Sequence, residues 1–145
     1  MEIRELLTTD DMLLHIDVLN ELYPNLLVDA LANDLELMIS NGYGQVAVFE
    51  NEECLGLTGF WINKKLWCEK YLEIDNFIVR EKHRSKGVGQ FIIDYLVQKA
   101  KNENCSIITL DSYRDNTKAH QLFLRNEFQP KGIHFVKFLD KSAIR

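Results

Sequence analysis

The sequence predicts an α/β (α+β) fold: a mixed, mostly antiparallel twisted sheet of six to seven strands flanked by about four helices. Three observations lead there. Short segments rich in β-formers recur from Ile3 to Leu139, and longer segments with apolar residues every three to four positions lie between them. Two neighbouring β segments are joined by a turn short enough for a hairpin. Finally, 145 residues of which 46% are hydrophobic suffice for one ordinary core, and with two prolines and no Ser/Gly-rich run the chain offers no linker, so residues 1–145 read as a single domain.

Ile3 to Leu7 is a short strand. Thr8-Thr9-Asp10-Asp11 then supplies a helix N-cap with acids in the first turn, where they oppose the positive end of the helix dipole, and Pro24 closes that helix. A second helix aligns Leu27, Leu31, Leu35 and Met38 on one face and stops at Asn41-Gly42. Tyr43 to Phe49 and Leu55 to Ile62 form the hairpin, connected by Glu50-Asn51-Glu52-Glu53. From Tyr71 to Val79, strand alternation puts Glu73, Asp75, Phe77 and Val79 on one side and Leu72, Ile74, Asn76 and Ile78 on the other. Gly87 to Lys101 is a helix that buries Val88, Phe91, Ile92, Tyr95 and Leu96. Ile107 to Leu110 is a strand, Asn116 to Asn126 an amphipathic helix, and Ile133 to Leu139 alternates as a last strand.

Composition excludes several classes of function. A formal charge of -5 disfavours nucleic-acid binding, which needs clustered cations to neutralise phosphates, and suits a cationic partner such as an amine. No stretch reaches the roughly 20 apolar residues of a membrane span and no basic n-region opens the chain, so a cytoplasmic protein without membrane contact is expected. Cys54, Cys68 and Cys105 are odd in number and lack C-x-x-C spacing; His15, His120 and His134 share no ligand spacing either, so no metal is expected. Trp61 and Trp67 read as packing residues or as walls of a pocket.

The chemistry concentrates where the Tyr71 to Val79 strand runs into the next helix, through Arg84-Ser85-Lys86-Gly87-Val88-Gly89-Gln90. The first turn of a helix has unpaired N–H groups and a partial positive charge, and Gly87 and Gly89 leave it uncovered for an anion. Arg84 and Lys86 add cations, whereas Lys82 and His83 read as a solvated charge cluster. A dinucleotide fingerprint fails because Ile92 stands where a third small residue is needed, and there is no Gly-Lys-Ser/Thr of a P-loop.

What remains, R-x-x-G-x-G, resembles the pyrophosphate motif of the GNAT superfamily of N-acetyltransferases, Q/R-x-x-G-x-G/A. The resemblance covers most of the chain. Asn116, Ala119, Leu122, Phe123 and Phe128 resemble the family's N-x-x-A-x-x-L-Y-x-x-x-G-F signature, with Phe123 in place of its Tyr and Glu127 in place of its Gly. The resemblance implies a GNAT-like fold and acetyl-CoA as co-substrate. Its pyrophosphate would lie on the N–H groups from Ser85 to Gln90, beside Arg84. Its pantetheine arm would pair like an added strand with Phe77, Ile78 and Val79, steadied by Asn116 and reached by Phe123. Glu73, eleven residues before Arg84, matches the spacing of the catalytic Glu in lysine-acetylating members and is the first choice of base; Asp75 is the second. Tyr113 would stand in for the proton donor that Phe123 lacks. The implied reaction is acetyl transfer to a primary amine of a small molecule or protein in a ternary complex; a non-catalytic CoA-binding regulatory module is the alternative that Phe123 keeps open. The acceptor and any homodimer stay undetermined.

Overall fold

The computed structural model describes residues 1–145, which divide into two compact units, Met1–Leu110 and Asp111–Arg145. The first unit holds β1 (Glu2–Leu6), α1 (Thr9–Leu13), α2 (Ile16–Leu19), α3 (Val28–Ser40), β2 (Tyr43–Glu50), β3 (Glu53–Lys65), β4 (Glu69–Val79), α4 (Val88–Asn102) and β5 (Ile107–Leu110). The five strands form one sheet in sequence order, antiparallel except for the parallel pair β4 and β5. The mixed, mostly antiparallel architecture flanked by helices is therefore as predicted, but with five strands and not six to seven.

The missing strand is Ile133 to Leu139. Its alternation is suited to a sheet, but a strand also needs a neighbouring backbone to complete its ladder. No backbone pairs with this segment, and Ile133, Phe135 and Leu139 are 81%, 89% and 91% exposed. The second unit instead consists of α5 (Thr117–Arg125), a 3-10 turn at Lys141–Ala143 and irregular chain, with Phe123 packed edge-on against Phe128.

Local rules account for the helix ends in the first unit. Thr8 and Asp11 form a reciprocal capping box that starts α1: the Asp11 amide donates to Thr8 Oγ1 at 3.1 Å and the Thr8 amide to Asp11 Oδ2 at 3.2 Å. The helix expected to run on toward Pro24 instead breaks at Leu14-His15. His15 leaves helical geometry and sets its ring edge-on to Phe49, 5.3 Å between centroids, before α2 begins. In α3, Leu31 and Leu35 are buried and Met38 packs beside them, whereas Leu27 is the exposed N-cap. The β2–β3 hairpin closes through Asn51 and Glu52, both at positive φ, the handedness that matches strand twist.

One face of the sheet, carrying Leu6, Tyr43, Ala47, Phe49, Leu57 and Ile78, packs on Met12, Val18, Leu19, Leu31 and Leu35 of α1 to α3. The other is covered by α4, which buries Val88, Ile92, Ile93, Leu96 and Ala100. Burying a Leu- or Ile-sized side chain contributes roughly 1.5–3 kcal/mol. The sheet, β4 included, is thus packed on both faces.

Candidate functional site

Two features of β4 shape the site. The first is a bulge. Register passes from Gly59↔Asp75 to Leu57↔Ile78, so Thr58 alone faces both Asn76 and Phe77, and Asn76 takes φ 53°. Glu73 and Asp75 share a face, as predicted. Beyond them the extra residue reverses the alternation: Ile78 joins the side of the two acids, Val79 pairs with Gly56 on the opposite side, and Phe77 lies within the bulge. The second feature is an open edge. β5 pairs with β4 only from Tyr71 to Ile74, so from Asp75 to Val79 that edge of β4 has no neighbouring strand. An edge of this kind offers N–H and C=O groups to an extended ligand.

The open edge leads into the helix start. After a single 3-10 turn at Glu81–His83, Ser85 and Gly87 adopt positive φ, 61° and 84°, and Gly87 becomes the N-cap of α4. No side chain caps this helix, and a Cβ placed on Gly87 would meet nothing within 4 Å. The first turn therefore has no side-chain cap and no side chain over Gly87, with the positive end of a 15-residue helix behind it.

The basic residues around it divide into two groups. Arg80 donates to the Cys54 carbonyl at 2.9 Å and pairs with Asp17 and with Glu21 at 3.1 Å. Lys82 pairs with Glu53, as does His83 at 3.1 Å, and these hydrogen bonds hold the Glu53 carboxyl down at about 2. These three side chains bind the ends of strands and helices together. Arg84 and Lys86 carry no carboxylate partner: Arg84 Nε donates to the Val79 carbonyl at 3.2 Å and Lys86 Nζ to the Lys82 carbonyl at 3.0 Å. Of the basic residues from 80 to 86, only Arg84 and Lys86 are thus without a carboxylate counter-ion.

On the α1–α3 side of β4, Glu73 stands in a cross-strand row with Trp61 and Tyr43, and Asp75 in the next row with Gly59 and Gln45. Glu73 and Asp75 are both half-buried. Asp75 is oriented by the protein: Oδ2 accepts from Trp61 Nε1 at 2.9 Å and Oδ1 from the Asn76 amide at 2.9 Å. Trp61 in turn stacks at a tilt on Tyr43, 4.9 Å between centroids. Trp61 is therefore a positioned member of this face, whereas Trp67 is exposed near the tip of the β3–β4 hairpin.

Tyr113, Asn116 and Phe123 belong to the second unit. Tyr113 is exposed, and its carbonyl accepts from His120 Nε2 at 2.9 Å. Asn116 is the N-cap of α5 by position but makes no side-chain cap bond, and Phe123 is buried. Sequence reading missed Tyr23, Tyr43, Gln45 and Asn76, which form a polar chain beside Asp75. One signal was present: an Asn among the apolar residues Leu72, Ile74 and Ile78 of one strand face marks a residue that tolerates left-handed geometry.

A sequence profile described as the Acetyltransferase (GNAT) family matches residues 4–128. The chain belongs to the GNAT acetyltransferase family. Among curated proteins none matches significantly. Solved structures share the GNAT fold. An acetyltransferase from Trypanosoma brucei is 21% identical with a TM-score of 0.79, over 95% of this chain and 99% of that one. A glucosamine-6-phosphate N-acetyltransferase from Arabidopsis thaliana is 20% identical with a TM-score of 0.75, over 96% and 98%. An aminoglycoside N-acetyltransferase solved in complex with CoA is 16% identical with a TM-score of 0.78, over 97% and 94%. No helix of this GNAT chain is long and apolar enough to cross a membrane.

Proposed function

We propose that this acetyltransferase moves the acetyl group of acetyl-CoA to a primary amine of a small molecule or protein by direct attack in a ternary complex. The observation that carries the reading is the uncapped start of α4 at Gly87, reached from the open edge of β4 and flanked by Arg84 and Lys86. A diphosphate there meets amide donors and cations together, and a pantetheine arm finds strand-like partners in Phe77, Ile78 and Val79. Neighbours of the same fold solved with CoA support the choice of donor.

In the reaction, the nitrogen of a neutral amine attacks the thioester carbonyl carbon, the C–S bond breaks, CoA leaves as the thiolate and the nitrogen gives up its proton to that thiolate or to water. An amine with a lysine-like pKa carries a proton at pH 7, and removing it costs about 4–5 kcal/mol. Glu73 takes that proton, directly or through water. Asp75 is the weaker candidate because Trp61 and the Asn76 amide already hold both its oxygens. The thiolate is a tolerable leaving group at an ordinary thiol pKa of about 8.5, which makes a donor such as Tyr113 helpful but not essential. Asn116 and Phe123 are assigned to the cofactor arm by their place in the GNAT signature. The net charge of -5 suits a cationic acceptor, and a cytoplasmic setting completes the reading.

Isothermal titration with acetyl-CoA tests the first step, and no heat at millimolar ligand defeats the proposal. Release of free thiol across an amine panel, with Glu73→Gln as control, tests the second. Binding without turnover on every amine selects the non-catalytic CoA-binding module, which the absent hydroxyl at Phe123 favours.

A further inference from the structure

The bulge in β4 places a left-handed residue in the middle of a strand, a conformation unfavourable for most L-residues. Asn76 occupies it at φ 53° and is held from three directions. Its Oδ1 accepts from the Tyr43 hydroxyl at 2.8 Å, its Nδ2 donates to the Tyr23 hydroxyl at 2.9 Å, and its backbone amide donates to Asp75 Oδ1 at 2.9 Å. Tyr43 is fixed in turn. It accepts from Gln45 Nε2 at 3.0 Å, and its ring lies so close over Gly59 that a Cβ there would come within 2.3 Å of the hydroxyl. Burial pushes the Tyr43 hydroxyl above the ordinary tyrosine value, so it remains a donor. With both ends of its amide bonded to side chains from outside β4, Asn76 has one orientation available.

That orientation has a consequence along the strand. Backbone N–H and C=O groups alternate between the two edges of a strand, so the extra residue at the bulge decides which groups of the following residues point to the open edge. We propose that Asn76, clamped by Tyr23 and Tyr43, is the positioning residue of this site, fixing which backbone groups of Phe77, Ile78 and Val79 are presented to the acyl donor. The inference rests on the acetyl-CoA reading for its ligand, but the clamp is a property of the strand itself. Asn76 acts through the backbone and touches neither reactant.

The test compares wild type with Asn76→Ala, Asn76→Gly, Tyr23→Phe and Tyr43→Phe. CoA affinity is measured by titration calorimetry, and the amide exchange of Phe77 to Val79 by hydrogen–deuterium exchange. Asn76→Ala is expected to weaken CoA about tenfold and to speed exchange of those amides, and Tyr23→Phe to weaken CoA about threefold, the size of one lost hydrogen bond. Asn76→Gly, for which positive φ is free of steric cost, should recover part of the affinity that Ala loses. CoA affinity within twofold of wild type and unchanged exchange in both Asn76→Ala and Tyr23→Phe overturn the inference, even if the variants melt earlier. If wild type itself binds no CoA, the acetyl-transfer reading falls, and exchange in Asn76→Ala still decides whether this side chain holds the bulge.

Discussion

Replacing Gly87 by Ala isolates the backbone conformation at the start of α4. Gly87 has φ 84°, outside the narrow left-handed region of residues with a Cβ, yet an added Cβ would meet nothing within 4 Å. There is no clash to relieve, so the whole effect is conformational. A left-handed Ala costs about 1–2 kcal/mol, and the stiffer unfolded chain returns about 0.4–1 kcal/mol, leaving a net loss of about 1 kcal/mol. If the turn keeps its shape, the loss appears as stability, a fall in melting midpoint of roughly 2–4 °C for a chain of this size. If the turn relaxes instead, the amides of the first turn swing away and the same free energy appears as an affinity for CoA about fivefold weaker. Differential scanning calorimetry and CoA titration on the same preparation read both quantities. Gly87→Asn should lose less than Ala, because Asn tolerates left-handed geometry. A Gly87→Ala protein with wild-type midpoint and wild-type CoA affinity would refute the reasoning, since the strain would have gone nowhere.

Glu73→Gln should lower turnover about 100-fold or more while leaving CoA affinity within twofold, and an unchanged rate in steady-state thiol release would remove Glu73 as the base. Phe123→Tyr should not lower activity; a severe loss in the same assay would mean that the position reads the acceptor. Glu53 is held at about 2 by hydrogen bonds from Lys82 and His83, below an ordinary 4.5. Because the folded value is the lower one, its contribution to stability is complete above pH 4.5 and disappears as pH falls toward 2. Glu53→Gln should therefore flatten the dependence of melting midpoint on pH across that window, by a small amount because the pair is exposed, and an identical slope would show the contact to be inert.

Most of the element order and the helix start beyond Arg84 were legible in the residues alone. Alternation also put Glu73 and Asp75 on a common face, since each of these depends on residues within a turn or a few strand positions of one another. Tertiary structure decided what depends on a distant neighbour. The alternation at Ile133 to Leu139 reads as a strand, but pairing requires a partner backbone that periodicity cannot supply. The first helix stops at Leu14-His15, where the His15 ring meets Phe49, far along the chain. At the bulge Asn76 bonds Tyr23 and Tyr43, both remote in sequence, and the extra residue moves Ile78 and Val79 to the faces opposite those that alternation predicts. Local spacing says which way a side chain points from its own strand; which strand lies beside it, and in what register, is settled only when residues remote in sequence compete for the same hydrogen bonds and the same core.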